Sequence, residues 1–194
     1  LGMMLVLNGM AYVVSGGYAI FGLPDSYAFL GQGYIGFIPV PVIIFAIFIA
    51  FGAIVMNKTW LGRSIYALGG NREAARLAGI DVDKLTVLVY TFCGFAASIA
   101  SLIMVGRTNA SQPGAGSSYS FDRMTAACLG GVSIAGGEGR ISGTVIGVII
   151  LGMLDNGLVL MSVNSNWQSV VKGAILLMAV AVDCYQGGAK RKAA

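Results

Sequence analysis

An all-α, polytopic transmembrane helical bundle is the fold this sequence predicts, and three observations predict it. Hydrophobic residues make up 57% of the chain and charged ones only 10%, where soluble domains carry about a quarter charged residues. The apolar residues gather into about six segments of the length that a bilayer imposes on helices, one of them short or broken. Finally, the 29 glycines suit helices in lipid, where small residues let backbones approach closely. The net charge of +4 is a matter of membrane topology and does not point to nucleic acid. The absence of histidine removes the usual general base and the commonest metal ligand. Cys93, Cys128 and Cys184 are odd in number, lack metal-type spacing and lie in apolar surroundings, so they read as buried, inert thiols.

The elements follow in order, within a single membrane domain over 1–194. Segment one, Leu1 to about Tyr18, is a span of marginal length. It opens on Leu1-Gly2-Met3-Met4-Leu5 without a positive n-region, which is not a signal peptide. The chain therefore reads as the carboxyl-terminal part of a longer protein. Ala19 to Gly36 mixes aromatics with Gly, Pro24 and Asp25 and is expected to be an extramembrane loop. Its Gly31-Gln32-Gly33-Tyr34-Ile35-Gly36 matches a dinucleotide fingerprint, but no strand–helix unit surrounds it, so the match is accidental. Segment two runs from Phe37 to Met56. A polar stretch, Asn57 to Lys84, separates it from segment three, Leu85 to Gly106, where Gly94, Ala97, Ser98 and Ser101 make a plausible packing stripe. After the turn-rich Arg107–Asp122, segment four, Arg123 to Ala135, is too short to span as a regular helix. In lipid such an element needs protein or a water-filled cavity around it. Gly136-Gly137-Glu138-Gly139-Arg140 then makes a tight turn. Segment five, Ile141 to Val163, carries Gly143 and Gly147 as a GxxxG pair, then Gly152 and Gly157, and should pack on neighbouring helices through these glycines. Segment six, Trp167 to Asp183, leads into a tail with Lys190-Arg191-Lys192.

The most informative piece is a polar hairpin, Gly69-Gly70-Asn71-Arg72-Glu73-Ala74-Ala75-Arg76-Leu77-Ala78-Gly79-Ile80-Asp81. Asn71 is a good N-cap, since its side-chain oxygen can accept from an N–H of the first turn. Gly79 is a good stop, because glycine takes the left-handed conformation without steric cost. Between them fits a helix of about two turns, with Glu73 and Arg76 at pairing distance. So short a helix is marginal alone. A tight connector and a docking knob for a partner protein both fit these residues.

Charge sets the expected orientation. With the tail inside, the hairpin and the Gly136–Arg140 turn are inside too. That face then holds Lys58, Arg63, Arg72, Arg76, Lys84, Arg140, Lys190, Arg191 and Lys192, against Arg107 and Arg123 outside, as the positive-inside rule requires. Asp155 and Asn156 lie within segment five and Lys172 within segment six. An ionisable group at the bilayer centre costs about 2.5–3.5 kcal/mol on insertion scales. Lys172 is expected to snorkel to the outer surface, while Asp155 is open between a structural pair and a pathway lining.

The run from Leu61-Gly62-Arg63-Ser64-Ile65-Tyr66 to Ala78-Gly79-Ile80 resembles the membrane permease subunits of bacterial sugar ABC importers, of the ribose and xylose types. The later run Cys128-Leu129-Gly130-Gly131-Val132 to Gly143-Thr144 is similar to the same family's second signature. The resemblance extends from Leu1 to about Asp183, with both motifs in order. It implies a multi-pass inner-membrane permease, working as a homodimer with a cytoplasmic ATP-binding subunit and a periplasmic sugar-binding protein. ATP would be bound by the partner subunit, and this chain would need no cofactor or metal and have no catalytic residue. The resemblance also makes the hairpin the expected coupling helix. Ala74, Ala75 and Leu77 would then seat in a groove of the ATPase, Arg72, Glu73 and Arg76 would set register at the rim, and Asn71 and Gly79 would bound the helix. Gly136, Gly137, Glu138, Gly139 and Arg140 would form a second cytoplasmic turn. An ion-coupled secondary transporter and a structural membrane subunit are the competing readings; an enzyme is disfavoured because no base–nucleophile or metal constellation is present. The residues lining a solute pathway, and which sugar would use it, are not legible.

Overall fold

The computed structural model describes residues 2–22, 24–116 and 119–193. Among these residues the structure is mostly helical, with four two-residue strands and connecting turns, and its elements run α1 (Gly2–Ser15), β1 (Ile20–Phe21), α2 (Asp25–Gln32), β2 (Tyr34–Ile35), β3 (Ile38–Pro39), α3 (Val40–Lys58), α4 (Trp60–Gly70), α5 (Arg72–Leu77), α6 (Val82–Thr108), β4 (Ala110–Ser111), α7 (Tyr119–Leu129), α8 (Ile141–Leu160) and α9 (Ser165–Ala193). Among the described residues three helices are long and apolar enough to cross a membrane: α3, α6 and α8. No more than 11% of the apolar window of any of them is buried within the chain. Their apolar surface is thus turned outward, as lipid or further helices require. Segment one appears as the shorter apolar helix α1, segment four as the 11-residue α7 and segment six within α9. The side chains of Asp183, Cys184 and the basic tail Lys190-Arg191-Lys192, and all of Ala194, lie outside the described residues.

The chain divides into two compact units. The first comprises Leu1–Ala50 and Thr86–Ser118. Here the expected loop at 19–36 contains a helix, α2, which the glycine-rich composition concealed. Its Gln32 Nε2 donates to the Arg107 carbonyl at 3.0 Å, and a β-carbon on Gly31 would run into the backbone of Gly106 and Arg107. The fingerprint glycines are thereby explained without a phosphate. Gly31 permits this close approach, Gly33 presses on Phe29, and Gly36 takes a φ of 65° in the two-residue loop of the β2–β3 hairpin. β1 and β4 pair antiparallel, Ile20 opposite Ser111. Among the described residues nothing packs on the small-residue stripe of α6 at Gly94, and Ser98 and Ser101 bond their own helix. Cys93 is exposed rather than buried.

The second unit, Phe51–Leu85 and Tyr119–Ala194, carries the polar hairpin and the glycine-rich hairpin α7–α8. The polar stretch after α3 holds two helices rather than one. Thr59 caps α4, accepting from the Gly62 amide at 3.4 Å while donating to the Val55 carbonyl at 2.7 Å. Along α7 and α8 the backbones touch: a β-carbon on Gly143 would strike the Gly130 carbonyl, and one on Gly147 the Ala126 carbonyl. The GxxxG pair therefore packs as expected. At Gly152 and Gly157 the described residues leave open space. Gly152 lies about 140° around α8 from Gly147, on a face that these residues do not cover.

Candidate functional site

Helix α5 is fixed at both ends by local chemistry. Asn71 sits in an extended conformation, φ −156° and ψ 110°, and its Oδ1 accepts from the Glu73 and Ala74 amides at 3.0 and 3.1 Å. An Asn at this position is worth about 0.5–2 kcal/mol over Ala. At the other end Gly79 has a φ of 82°. Its amide donates to the Arg76 carbonyl at 3.0 Å and the Ile80 amide donates to the Ala75 carbonyl at 3.1 Å. These two bonds are a Schellman cap, which satisfies carbonyls that the helix end would leave orphaned. Glu73 in the first turn and Arg76 in the last complement the helix dipole. Six residues are thus held as a rigid projection.

Exposure sorts the side chains expected to dock. Leu77 is 89% exposed, a large apolar residue left uncovered by its own chain, and Arg72, Glu73, Ala74 and Arg76 are exposed around it. Ala75 is the exception: at 2% exposure it faces into its own chain and cannot seat in a partner's groove. Its methyl anchors α5 to the fold instead. Among the described residues the ion pairs of this hairpin are Arg72–Asp83 at 3.3 Å and Asp81–Lys84 at 2.8 Å, rather than Glu73–Arg76. The Lys84 side chain and backbone amide beside Asp81 hold its carboxyl below the ordinary carboxylate range.

The second turn, Gly136–Arg140, is brought against the last residues of α4. A β-carbon on Gly69 would lie 2.6 Å from the Gly137 nitrogen, and one on Gly137 would lie 2.7 Å from the Gly70 Cα. Gly136 and Gly137 have φ of 91° and 78°, values costly for residues with a β-carbon. Tyr66 of α4 donates its hydroxyl to the Gly139 carbonyl at 2.9 Å. Tyr66, Glu138, Arg140 and Ser142 line a cavity of about 590 Å³ there. The two predicted groups therefore form one continuous region, a convex helix next to a concave turn. Tyr66 was not foreseen as part of it; an aromatic with a hydroxyl one turn before the paired glycines was the available signal.

A third group joins α7, α8 and α9. Lys172 Nζ donates to Asp122 Oδ2 at 2.9 Å and lies 3.1 Å from Asp155 Oδ1. The second contact is ionic only: Asp155 Oδ1 is shielded from water yet has no well-directed hydrogen bond. The lysine side chain is 20% exposed, so the expected snorkelling is replaced by pairing. Two carboxylates within reach hold an ammonium more strongly than a distant water layer can draw it out.

What these elements define is an integral membrane protein of helical architecture, and its class follows. The chain belongs to the family described as branched-chain amino acid transport system / permease component, whose pattern it matches over residues 1–180. It is 45% identical over 185 residues to the ribose import permease protein RbsC of Escherichia coli (strain K12), covering 93% of this chain and 58% of that protein. The Bacillus subtilis (strain 168) ribose import permease protein is 43% identical over 182 residues, 93% of this chain and 56% of the relative. The L-arabinose transport system permease protein AraH of Escherichia coli (strain K12) is 39% identical over 191 residues, 97% and 57% respectively. The chain thus spans somewhat over half the length of these relatives, which are named as transport permeases, not enzymes. No solved structure matches the chain.

Proposed function

We propose that this chain forms the membrane-spanning part of an ATP-driven, binding-protein-dependent importer that moves a sugar across a bacterial inner membrane. The solute class rests on the similar permeases, named for ribose, xylose and arabinose, all pentoses. The single observation that carries the mechanism is α5: a helix capped at both ends that presents an 89% exposed leucine. Such an apolar anchor ringed by Arg72, Glu73 and Arg76 is suited to a groove in a cytoplasmic ATP-binding subunit. A rigid knob seated in a groove transmits displacement without carrying chemistry. The turn Gly136-Gly137-Glu138-Gly139-Arg140 forms a second cytoplasmic turn beside it, with Gly136 and Gly137 seated against α4 of the same chain. A periplasmic sugar-binding protein delivers the solute on the other side, and two permease copies enclose the path, with the carboxyl terminus cytoplasmic.

The test is Leu77→Asp in the full-length permease, reconstituted in vesicles with its ATP-binding subunit and binding protein. Co-purification of the ATPase should fall and ATP-dependent uptake should drop at least about tenfold, the scale of one buried apolar anchor, with membrane insertion unchanged. Full ATPase binding and full uptake would leave α5 a mere connector. An ion-coupled transporter is favoured by one observation, the Asp122–Lys172–Asp155 group, because intramembrane carboxylates serve as coupling sites. Uptake that persists without the ATPase would select that reading.

A further inference from the structure

We infer that Gly69, Gly70, Gly136 and Gly137, locked by the Tyr66 hydroxyl, are the joint through which α5 moves α8, making Tyr66 and Gly137 positioning residues for coupling. The inference rests on the reading of α5 as the coupling helix and says where its displacement goes. Gly70 directly precedes Asn71, the residue whose side chain caps α5. Gly139, which accepts the Tyr66 hydroxyl at 2.9 Å, lies two residues before α8 begins. Between them the two glycine pairs meet backbone to backbone: a β-carbon on Gly136 would lie 2.6 Å from the Gly69 carbonyl oxygen, and one on Gly137 2.7 Å from the Gly70 Cα.

A joint of this kind has no side chains at its contact. A rotamer change can therefore not absorb a push, as it can where long side chains interdigitate. The tyrosine hydrogen bond opposes separation of the two backbones. Beyond the joint the motion passes to a stiff body, because α7 and α8 are themselves in backbone contact at Gly130–Gly143 and Ala126–Gly147. The other exit from α5, toward α6, carries the buried side chains of Val82 and Leu85 but no backbone-to-backbone contact at Gly79, where a β-carbon would meet nothing within 4 Å. Its ion pair, Arg72–Asp83 at 3.3 Å, has side chains 66% and 74% exposed, and exposed pairs contribute little. The joint thus carries displacement to α8, whose 20 residues extend about 30 Å at 1.5 Å per residue.

The experiment measures solute imported per ATP hydrolysed by the full-length permease in vesicles with its ATP-binding subunit and sugar-binding protein. Gly137→Ala adds a methyl against Gly70 at a positive φ. Tyr66→Phe removes only the hydroxyl. Both should keep the ATPase bound and hydrolysing while the import ratio falls, about tenfold or more for Gly137→Ala, the scale of overpacking, and about two- to tenfold for Tyr66→Phe, the scale of one hydrogen bond. Gly152→Ala, into open space, should leave the ratio unchanged. Should Gly137→Ala fail to reach the membrane, Tyr66→Phe decides alone. An unchanged ratio in Tyr66→Phe, or uptake and hydrolysis falling together in proportion to abundance, would overturn the joint. That outcome is distinguishable from failure of the coupling reading, in which Leu77→Asp retains its ATPase.

Discussion

Substituting alanine at Gly147 and at Gly152 compares two glycines five residues apart on one helix. At Gly152 a β-carbon meets nothing within 4 Å, whereas at Gly147 it would strike the Ala126 carbonyl and stand 2.9 Å from the Gly130 amide nitrogen. The obstacles at Gly147 are backbone atoms of α7, which cannot rotate aside. Overpacking of this kind costs about 1–3 kcal/mol. Alanine in a helix interior otherwise gains about 0.5–1 kcal/mol over glycine. Gly152→Ala should therefore stabilise the protein by up to about 1 kcal/mol, and Gly147→Ala should destabilise it by about 1–3 kcal/mol. The assay is unfolding of the full-length permease from mixed micelles by titration with a denaturing detergent, followed by circular dichroism. Equal midpoints for the two variants would refute the packing of α7 on α8 through these glycines.

Lys172→Met should leave Asp122 and Asp155 facing each other without their cation. With side chains 20–38% exposed, the loss should be about 1–3 kcal/mol, below the 3–5 kcal/mol of a fully buried pair. Lys172→Arg should recover most of it in the same unfolding assay, and a neutral result for Lys172→Met would remove the cluster from the stability account. For topology, single cysteines at Arg72, Gln112 and Asn164 in a cysteine-free full-length background should react with an impermeant reagent in sealed cells only at Gln112 and Asn164; labelling at Arg72 inverts the orientation. Asn71→Ala should cost about 1 kcal/mol of α5 stability, read as faster hydrogen exchange confined to the amides of Glu73 and Ala74.

Local chemistry was legible in the residues themselves. Asn71 as a cap, Gly79 at positive φ, the tight turn at Gly136-Gly137 and the shortness of α7 each follow from residue type and spacing within a few positions. What escaped was pairing across distance. Asp122 and Lys172 are 50 residues apart and nothing in the intervening sequence marks them as partners. Tyr66 and Gly139 are 73 apart. Nor does composition say which face of a two-turn helix is turned inward. Ala75 and Ala74 are the same residue type, yet one is buried and the other exposed, so a bulky substitution at Ala75 would test the fold, not the docking. Helix α4 was hidden by three glycines in eleven residues, each unfavourable by about 1 kcal/mol in a helix interior. Its close packing at Gly62 and Gly69 is what needs them.

Synthesis delivers α8 to the membrane before α9; α8 carries Asp155, and the apolar start of α9, up to Val182, carries Lys172. Alone, either charge would disfavour insertion by about 2.5–3.5 kcal/mol at the bilayer centre. The connection between the two helices is only the four residues from Met161 to Asn164, so they can meet while both are still leaving the insertion machinery. Their 3.1 Å pairing therefore favours entry as a hairpin rather than one helix at a time. Asp122, already waiting on α7, then locks the newcomer. The charge pattern that holds three helices together in the finished protein thus also favours joint entry of the last two.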